Sequence, residues 1–448
     1  MEISNQPESN SHLTVNRTLP ESATLYPSPV VATPTTPVSF NESAHSICPQ
    51  LALLAGAKWS SGNRIVVLEN GDEIFPAMLE AIENARDSII FLTYVYWEGD
   101  IAEEFAKLLA RKARNGVRCH VLLDAFGSMR TSRGLLDMMA EAGVVLAKYN
   151  PFSFQHPWRY QHRTHRKILV CDSEAGFVGG VGIADDWKGN ARHPGERHDF
   201  HFRIEGPCVA ALTRAFWDNW RSPWTRMRDG SKPAPLTSFQ PAAEDFIDIP
   251  EENSGVKEDI RVLPLLSSPT DSESEAGEIY ELMMDSAKER VRIISAYLIP
   301  DRRMINLFRR TAERGVEVEL VVPGPHKDSW LAQSRSRACW SDLHNCGVKI
   351  HLYQPTMCHA KLTIIDDWLT TVGSINFDLL SFRLNEEANI IVHSEEFASL
   401  MIQKFEQDRN RSIELTTEWL ENRGRWKRCK ESVAKKLPLP YWREGCDY

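Results

Sequence analysis

Two histidines and two lysines of this chain recur at a spacing that can do chemistry. In MCHAKLTIIDDWLTTVGSIN, residues 357–376, His359, Lys361, Asp366 and the turn Gly373-Ser374-Ile375-Asn376 lie close together. The run Lys361 to Ile365 is apolar and β-branched, which predicts a strand, and residues two apart on a strand share a face. His359 and Lys361 therefore point the same way. Asp366 closes that strand, a second apolar run from Leu369 to Val372 follows, and the small residues after it let backbone and short polar groups crowd one spot. HRKILVCDSEAGFVGGVG repeats the pattern: His165, Lys167, Asp172 and Gly179 keep the offsets of 2, 7 and 14 residues from the His seen in the later copy. A single HxKxxxxD arises by chance in roughly a few per cent of chains this long. Two copies with a matching Gly are far harder to obtain that way.

Two His–Lys pairs facing one cleft suit displacement at a phosphorus ester. One neutral imidazole attacks phosphorus while the other, protonated, donates to the leaving oxygen. The ammonium groups of Lys167 and Lys361 and the Asn376 amide would hold the non-bridging oxygens, where charge must be stabilised. This chemistry calls for no metal and no cofactor. Each imidazole also needs a carboxylate to fix its tautomer. Asp199, 34 residues after His165, and Glu387, 28 after His359, fall at similar distances. Asp172 and Asp366 complete the motif, but each stands an odd number of residues from its His and Lys, which predicts a turn-fixing role. Cys358 alternates to the face opposite His359.

The elements that must position these groups also occur twice. In the first half Arg64 to Leu68 reads as a strand, Asn70-Gly71 as a turn, and Phe75, Met78, Leu79, Ile82 and Ala85 as one face of a helix. A strand at Ser88 to Tyr94, a helix from Ile101 to Arg114 and a strand at Val117 to Leu123 follow. In the second half the same order is predicted as a helix through Ile279, Leu282, Met283 and Ala287, a strand Val291 to Ser295, a helix Arg302 to Ala312 and a strand Val316 to Val322. Helix and strand in alternation define the α/β class. Two copies of this length make a pseudo-dimer, in which the two His strands should meet at the interface. The first copy carries about ten extra residues within the aromatic and basic run FSFQHPWRYQHR, beside the site.

Length bounds the rest. A chain of 448 residues has room for two domains of about 200 residues. Residues 1–45, rich in Ser, Thr, Pro and Asn, read as a disordered tail. The organisation expected is a first half over 46–240, an acidic linker over 241–259, a second half over 260–410 and a basic, aromatic C-terminal segment over 411–448. Residues 244–259 carry seven acids and one Lys, whereas Arg423 to Lys436 carries seven basic residues and one acid around Trp426. The net charge of −9 argues against a nucleic-acid partner. No apolar run reaches the roughly 18 residues of a membrane-spanning helix, no signal peptide is visible, and nine cysteines without a CxxC pair suit a reducing compartment.

HxKxxxxD followed by GSxN, duplicated in one chain, resembles the phospholipase D superfamily over about residues 60 to 410. ENGDEIFPAMLEAI, HDFHFRIEGP and GSINFDLLSFRLNEE are similar to runs in bacterial cardiolipin synthases of the shorter, peripheral type. The resemblance implies two α-β-α sandwich halves with the active site between them, a phosphohistidine intermediate without a metal, His165 as nucleophile and His359 as acid and base. It also implies phosphatidylglycerol, alone or with a second phospholipid, as substrate and cardiolipin as product, with hydrolysis of a phospholipid as the rival outcome and hydrolysis of nucleic acid, which the acidic balance disfavours, behind it. The location implied is an anionic membrane surface, reached from the cytoplasmic side through the basic C-terminal segment and the insertion at 152–163. One departure stands out: Gly179-Gly180-Val181-Gly182 lacks both the Ser and the Asn of GSxN.

Overall fold

The computed structural model describes residues 47–154, 161–233, 260–269 and 275–422, with residues 431 and 433. The expected tail over 1–45, the acidic linker over 241–259, the centre of the aromatic insertion and the basic run beyond Arg423 lie outside the described residues.

Each half is built on three parallel strands followed by an antiparallel run. In the first half Ser88–Thr93, Arg118–Asp124 and Val145–Tyr149 are parallel neighbours. Apolar side chains fill both faces of Ser88–Thr93, as a strand covered on two sides requires. Ile168–Cys171 pairs antiparallel with it, and Ala175–Gly179, Phe200–Glu205 and Ser60–Glu69 continue the sheet. The second half repeats this order with Arg290–Ser295, Glu317–Pro323 and Lys349–Tyr353, then Lys361–Ile365, Leu369–Gly373, Asn389–His393 and Ile260–Leu265. Ser60 and Asn63 pair with Val262 and Ile260, which joins the halves into one sheet of 16 strands among the described residues.

Helices lock the register. Asp100–Arg114 carries Asp100 and Glu103 in its first turn and Arg111, Lys112 and Arg114 in its last, the arrangement that opposes the helix dipole. Asp301 and Ser394 cap Arg302–Glu313 and Glu395–Asn410 by accepting from the Met304 and Phe397 amides. Asn70–Asn84, Asp100–Arg114 and Arg133–Glu141 cover the outer face of the first sheet, and Glu275–Ser286, Arg302–Glu313 and Trp330–Asn345 cover that of the second. Cys208–Arg221 and Glu395–Asn410 contribute to a shared central core, where Ile168, Phe202 and Trp217 of one half join Leu362, Val372 and Met401 of the other. Each large side chain buried there contributes about 1.5–3 kcal/mol, so the two halves stabilise each other.

The structure departs from the sequence reading in three places. The helix Cys48–Leu54, ahead of the first predicted strand at Arg64, packs on the core of the second half although its residues fall within the stretch assigned to the first. Asn70-Gly71 opens the helix Asn70–Asn84 directly: Asn70 takes φ 60°, so the chain turns there and enters the helix at once. Residues 411–422 belong to the second half, because Ser412–Glu414 pairs with Lys349–Tyr353 and Trp419 packs on Trp340.

Candidate active site

Four short strands bring the reacting groups together, and they pair across the halves. Arg163–Thr164, just ahead of His165, runs parallel to Asn385–Glu386, just ahead of Glu387. Met357–Cys358, ahead of His359, runs parallel to Arg197–His198, ahead of Asp199. The backbone amides of His165 and His359 extend these pairings to the carbonyls of Glu386 at 2.8 Å and His198 at 2.7 Å. The expectation that the two His strands meet each other is therefore corrected. Each meets the carboxylate strand of the opposite half.

The carboxylates are exchanged accordingly. His165 Nδ1 lies 2.8 and 3.0 Å from the Glu387 carboxylate oxygens, and His359 Nδ1 lies 2.7 Å from Asp199 Oδ2. Spacing along the chain suggested pairs within each half, but the two short parallel ladders carry each carboxylate over to the other half. With Nδ1 engaged, the Nε2 edge of His165 is turned to chemistry, while Nε2 of His359 lies 3.3 Å from Lys361 Nζ. Both rings line one cleft of about 290 Å³, together with Lys167, Asn376, Tyr94 and Tyr297. Tyr94 meets His165 edge-on at 5.2 Å and Tyr297 meets His359 at 6.2 Å, apolar walls that keep both imidazoles in place.

Lys167 Nζ donates to the His165 carbonyl at 2.7 Å, and Lys361 Nζ lies 3.0 Å from His359 Nδ1 while also reaching the His359 carbonyl. Asn376 lines the cleft, and its buried Oδ1 has no hydrogen-bond partner among the described residues. A polar atom held dry in this way is suited to a ligand.

Burial sets the electrostatics. It lowers His165 below its usual 6.5, only partly offset by Glu387, and with Lys361 and Arg197 it holds His359 well below that value. Burial also lowers Lys361, and brings Lys167 down to about 7. Glu387 would rise on burial, but His165, Lys167 and the Ser374 hydroxyl outweigh this and keep it below the usual carboxylate range, whereas burial raises Asp199. Burial thus favours the neutral form of both imidazoles. An arriving phosphodiester anion favours the charged form of every base around it.

Asp172 and Asp366 stay out of the cleft. Each adopts a positive φ, 54° and 50°, and turns its carboxylate onto three successive backbone amides. Asp172 accepts from Arg86, Asp87 and Ser88 at 2.7–2.8 Å, and Asp366 from Lys288, Glu289 and Arg290 at 2.8–3.1 Å. Each therefore fixes the start of the neighbouring parallel strand, the turn-fixing role that its odd spacing predicted, and neither joins the His and Lys of its motif in the cleft. Cys358 is fully buried on the opposite face from His359, and burial drives its thiol far up.

The departure at Gly180 and Gly182 has a physical reason that the sequence reading missed. In the second half Ser374 Oγ donates to Glu387 at 2.5 Å. In the first, a Cβ on Gly180 would stand 2.2 Å from Asp199 Oδ1, and one on Gly182 would stand 2.6 Å from Val95 Cβ and 3.2 Å from the Trp187 ring. Trp187 Nε1 instead donates to Asp199 Oδ2 at 3.0 Å, and its ring meets His359 edge-on at 5.2 Å. The two missing side chains were the available signal, since a vacated volume beside a buried carboxylate must be filled and the carboxylate must find a donor.

A duplicated α/β half that contributes one histidine per copy to a shared cleft, each with its motif lysine against it, defines the phospholipase D-like class. The family model described as cardiolipin synthase, phospholipase D-like domain, matches residues 78–188 and 280–409, more than half of the chain. A cardiolipin synthase B of Salmonella typhi is 31% identical over 347 residues, which is 76% of this chain and 78% of the relative. Cardiolipin synthase 1 of Bacillus anthracis is 29% identical over 372 residues, 83% of this chain and 71% of that one. The crystal structure of phosphatidylserine synthase from Haemophilus influenzae Rd KW20 shares the fold, with a TM-score of 0.66 at 14% identity over 87% of this chain and all of its own. The chain belongs to the cardiolipin synthase family of phospholipase D-like phosphatidyltransferases.

Proposed function

We propose that this protein joins two phosphatidylglycerol molecules into cardiolipin and releases glycerol. His165 Nε2 attacks the donor phosphorus, the bond to the glycerol oxygen breaks, and His359 supplies the proton that glycerol carries away. A hydroxyl of the second phosphatidylglycerol then gives its proton back to His359 and attacks phosphorus, and the P–N bond to His165 breaks. Charge that develops on the His165 ring as phosphorus is bound is stabilised by ionised Glu387, which Ser374 holds in place. Lys167 and Lys361 offset charge on the non-bridging oxygens. The single observation that carries this reading is the crossed pairing of two buried imidazoles with carboxylates of opposite halves around one cleft.

The partner surface follows from the substrate. The enzyme works at an anionic membrane surface as a peripheral protein on the cytoplasmic side, through the basic and aromatic run after Arg423. No helix among the described residues is long and apolar enough to cross a membrane. The experiment that tests the function is incubation of the pure protein with vesicles of phosphate-labelled phosphatidylglycerol. Labelled cardiolipin and an equal yield of glycerol are expected. Phosphatidic acid as the sole labelled product would replace transfer by hydrolysis.

A further inference from the structure

One step outward from the reacting groups, the same four strands carry a second layer. Arg163 stands two residues before His165, Asn385 two before Glu387, Arg197 two before Asp199 and Met357 two before His359. Residues two apart on a strand share a face and lie ~6.6 Å apart. Arg163 is in register with Asn385, and Arg197 with Met357. Arg163, Arg197, Asn385 and the neighbouring Gln161 line the same cleft as the histidines.

The two arginines differ in what they can offer an anion. Arg197 meets Asp328 at 2.9 Å and Asp186 at 3.1 Å and lies 4.3 Å over the Trp187 ring. Two carboxylates already face that guanidinium, so an incoming anion meets repulsion there. Arg163 is buried with its Nη1 3.0 Å from the Asn150 carbonyl and 3.6 Å from Asp124. The Asp124 carboxylate in turn accepts from the amides of Phe126, Gly127 and Thr164 at 2.9, 3.0 and 3.1 Å, which spreads its charge over three donors. Beside Arg163, Asn385 and Gln161 supply neutral amides. One cation with two amides is the donor set that suits a phosphodiester monoanion.

We propose that Arg163, with Asn385 and Gln161, forms a second anion subsite that takes the phosphodiester already carried by the incoming alcohol, and so selects a phospholipid headgroup as acceptor over water. The inference rests on phosphatidyl transfer as read above. The three-carbon bridge that separates the two phosphates of the product spans about the same distance as one two-residue step of a strand, ~6.6 Å. With one phosphorus at the histidine layer, the second reaches the Arg163 layer. Water carries no such group and gains nothing there, so the subsite favours transfer over hydrolysis.

The test is the ratio of labelled cardiolipin to labelled phosphatidic acid made from phosphatidylglycerol vesicles, with melting temperature measured alongside. In R163Q the ratio should fall roughly tenfold or more, the effect of losing a charge-assisted hydrogen bond to phosphate, and R163K should recover part of it. N385D, which places a like charge against the bound phosphate at a half-buried position, should lower the ratio in the same direction. An unchanged ratio in a folded R163Q overturns the subsite. If R163Q does not fold, an unchanged ratio in N385D does so. A wild-type enzyme that makes no cardiolipin would sink the transfer reading, and this subsite with it.

Discussion

The two halves of the molecule solve one problem in two ways. Both must hold a buried carboxylate against an imidazole that arrives from the other half. The second half does so locally: Ser374 Oγ reaches Glu387, while the amides of Ser374 and Ile375 donate to Asn389 Oδ1 at 2.7 and 3.0 Å and fix the turn. The first half does so at a distance, with Gly180 and Gly182 clearing the space and Trp187 donating to Asp199. What the halves share without change is the Asp172 and Asp366 lock on the neighbouring strand. The comparison teaches that the Ser of the motif is replaceable provided some N–H or O–H reaches the carboxylate, because a buried carboxylate without donors is costly.

The largest effect should come from the imidazoles. H165A and H359A should each lower transfer by about 10⁴-fold or more, and the double variant should be little worse than the weaker single, since the pair acts as one unit. A single variant that keeps near-normal turnover in a vesicle assay would break the account. E387Q and D199N should come next, at roughly 10²- to 10⁴-fold, because a tautomer is lost while the ring stays. Their ring-nitrogen NMR signatures decide the crossing: E387Q should disturb His165 and D199N should disturb His359, and the opposite assignment would restore pairing within each half.

Smaller losses sharpen the contrast between Ser374 and Trp187. S374A and W187F each remove one donor to a carboxylate, so each should cost roughly 10-fold in kcat with little change in KM. W187F should in addition move the pH limb that belongs to His359, and S374A the one that belongs to His165. Loss of stability alone would move neither.

The pH dependence of kcat/KM follows from burial. Lys167, held at about 7, is charged below that pH and neutral above it in the free enzyme, and an anionic substrate prefers the charged form. Specificity for the anion should therefore decline above about pH 7. On the acid side burial holds His165 below 6.5, so the fall from protonating the nucleophile should begin only below that value. A plateau that runs flat to pH 9 would contradict the Lys167 assignment. The smallest expected effect is that of a chelator, since the positive charge at phosphorus comes from lysines, and turnover after extensive EDTA treatment should be unchanged.

Much of the frame was legible in the sequence for identifiable reasons. Apolar β-branched runs and helical periodicity placed Ser88–Thr93, Asp100–Arg114, Arg290–Ser295 and Lys361–Ile365 to within a residue or so, because local pattern decides those elements. The crossing of Glu387 and Asp199 was not legible, since partners 222 and 160 residues apart are chosen by how two halves dock and leave no trace in spacing. Trp187 carries no periodic signal either, and only the missing side chains at 180 and 182 pointed to it. The helix Cys48–Leu54 was missed because its seven residues bury Cys48 and Leu51 against a core assembled more than two hundred residues later.

The central claim is that one cleft, completed by both halves, forms a covalent bond between phosphorus and His165. Rapid alkaline quench of the enzyme with phosphate-labelled phosphatidylglycerol, followed by digestion and mass spectrometry, tests it directly. The account predicts a phosphatidyl group on His165, present in the wild type and absent from H165A and from E387Q at the same quench time. Label on His359 with His165 unmodified would reverse the two roles, and turnover without label on either imidazole would contradict the account.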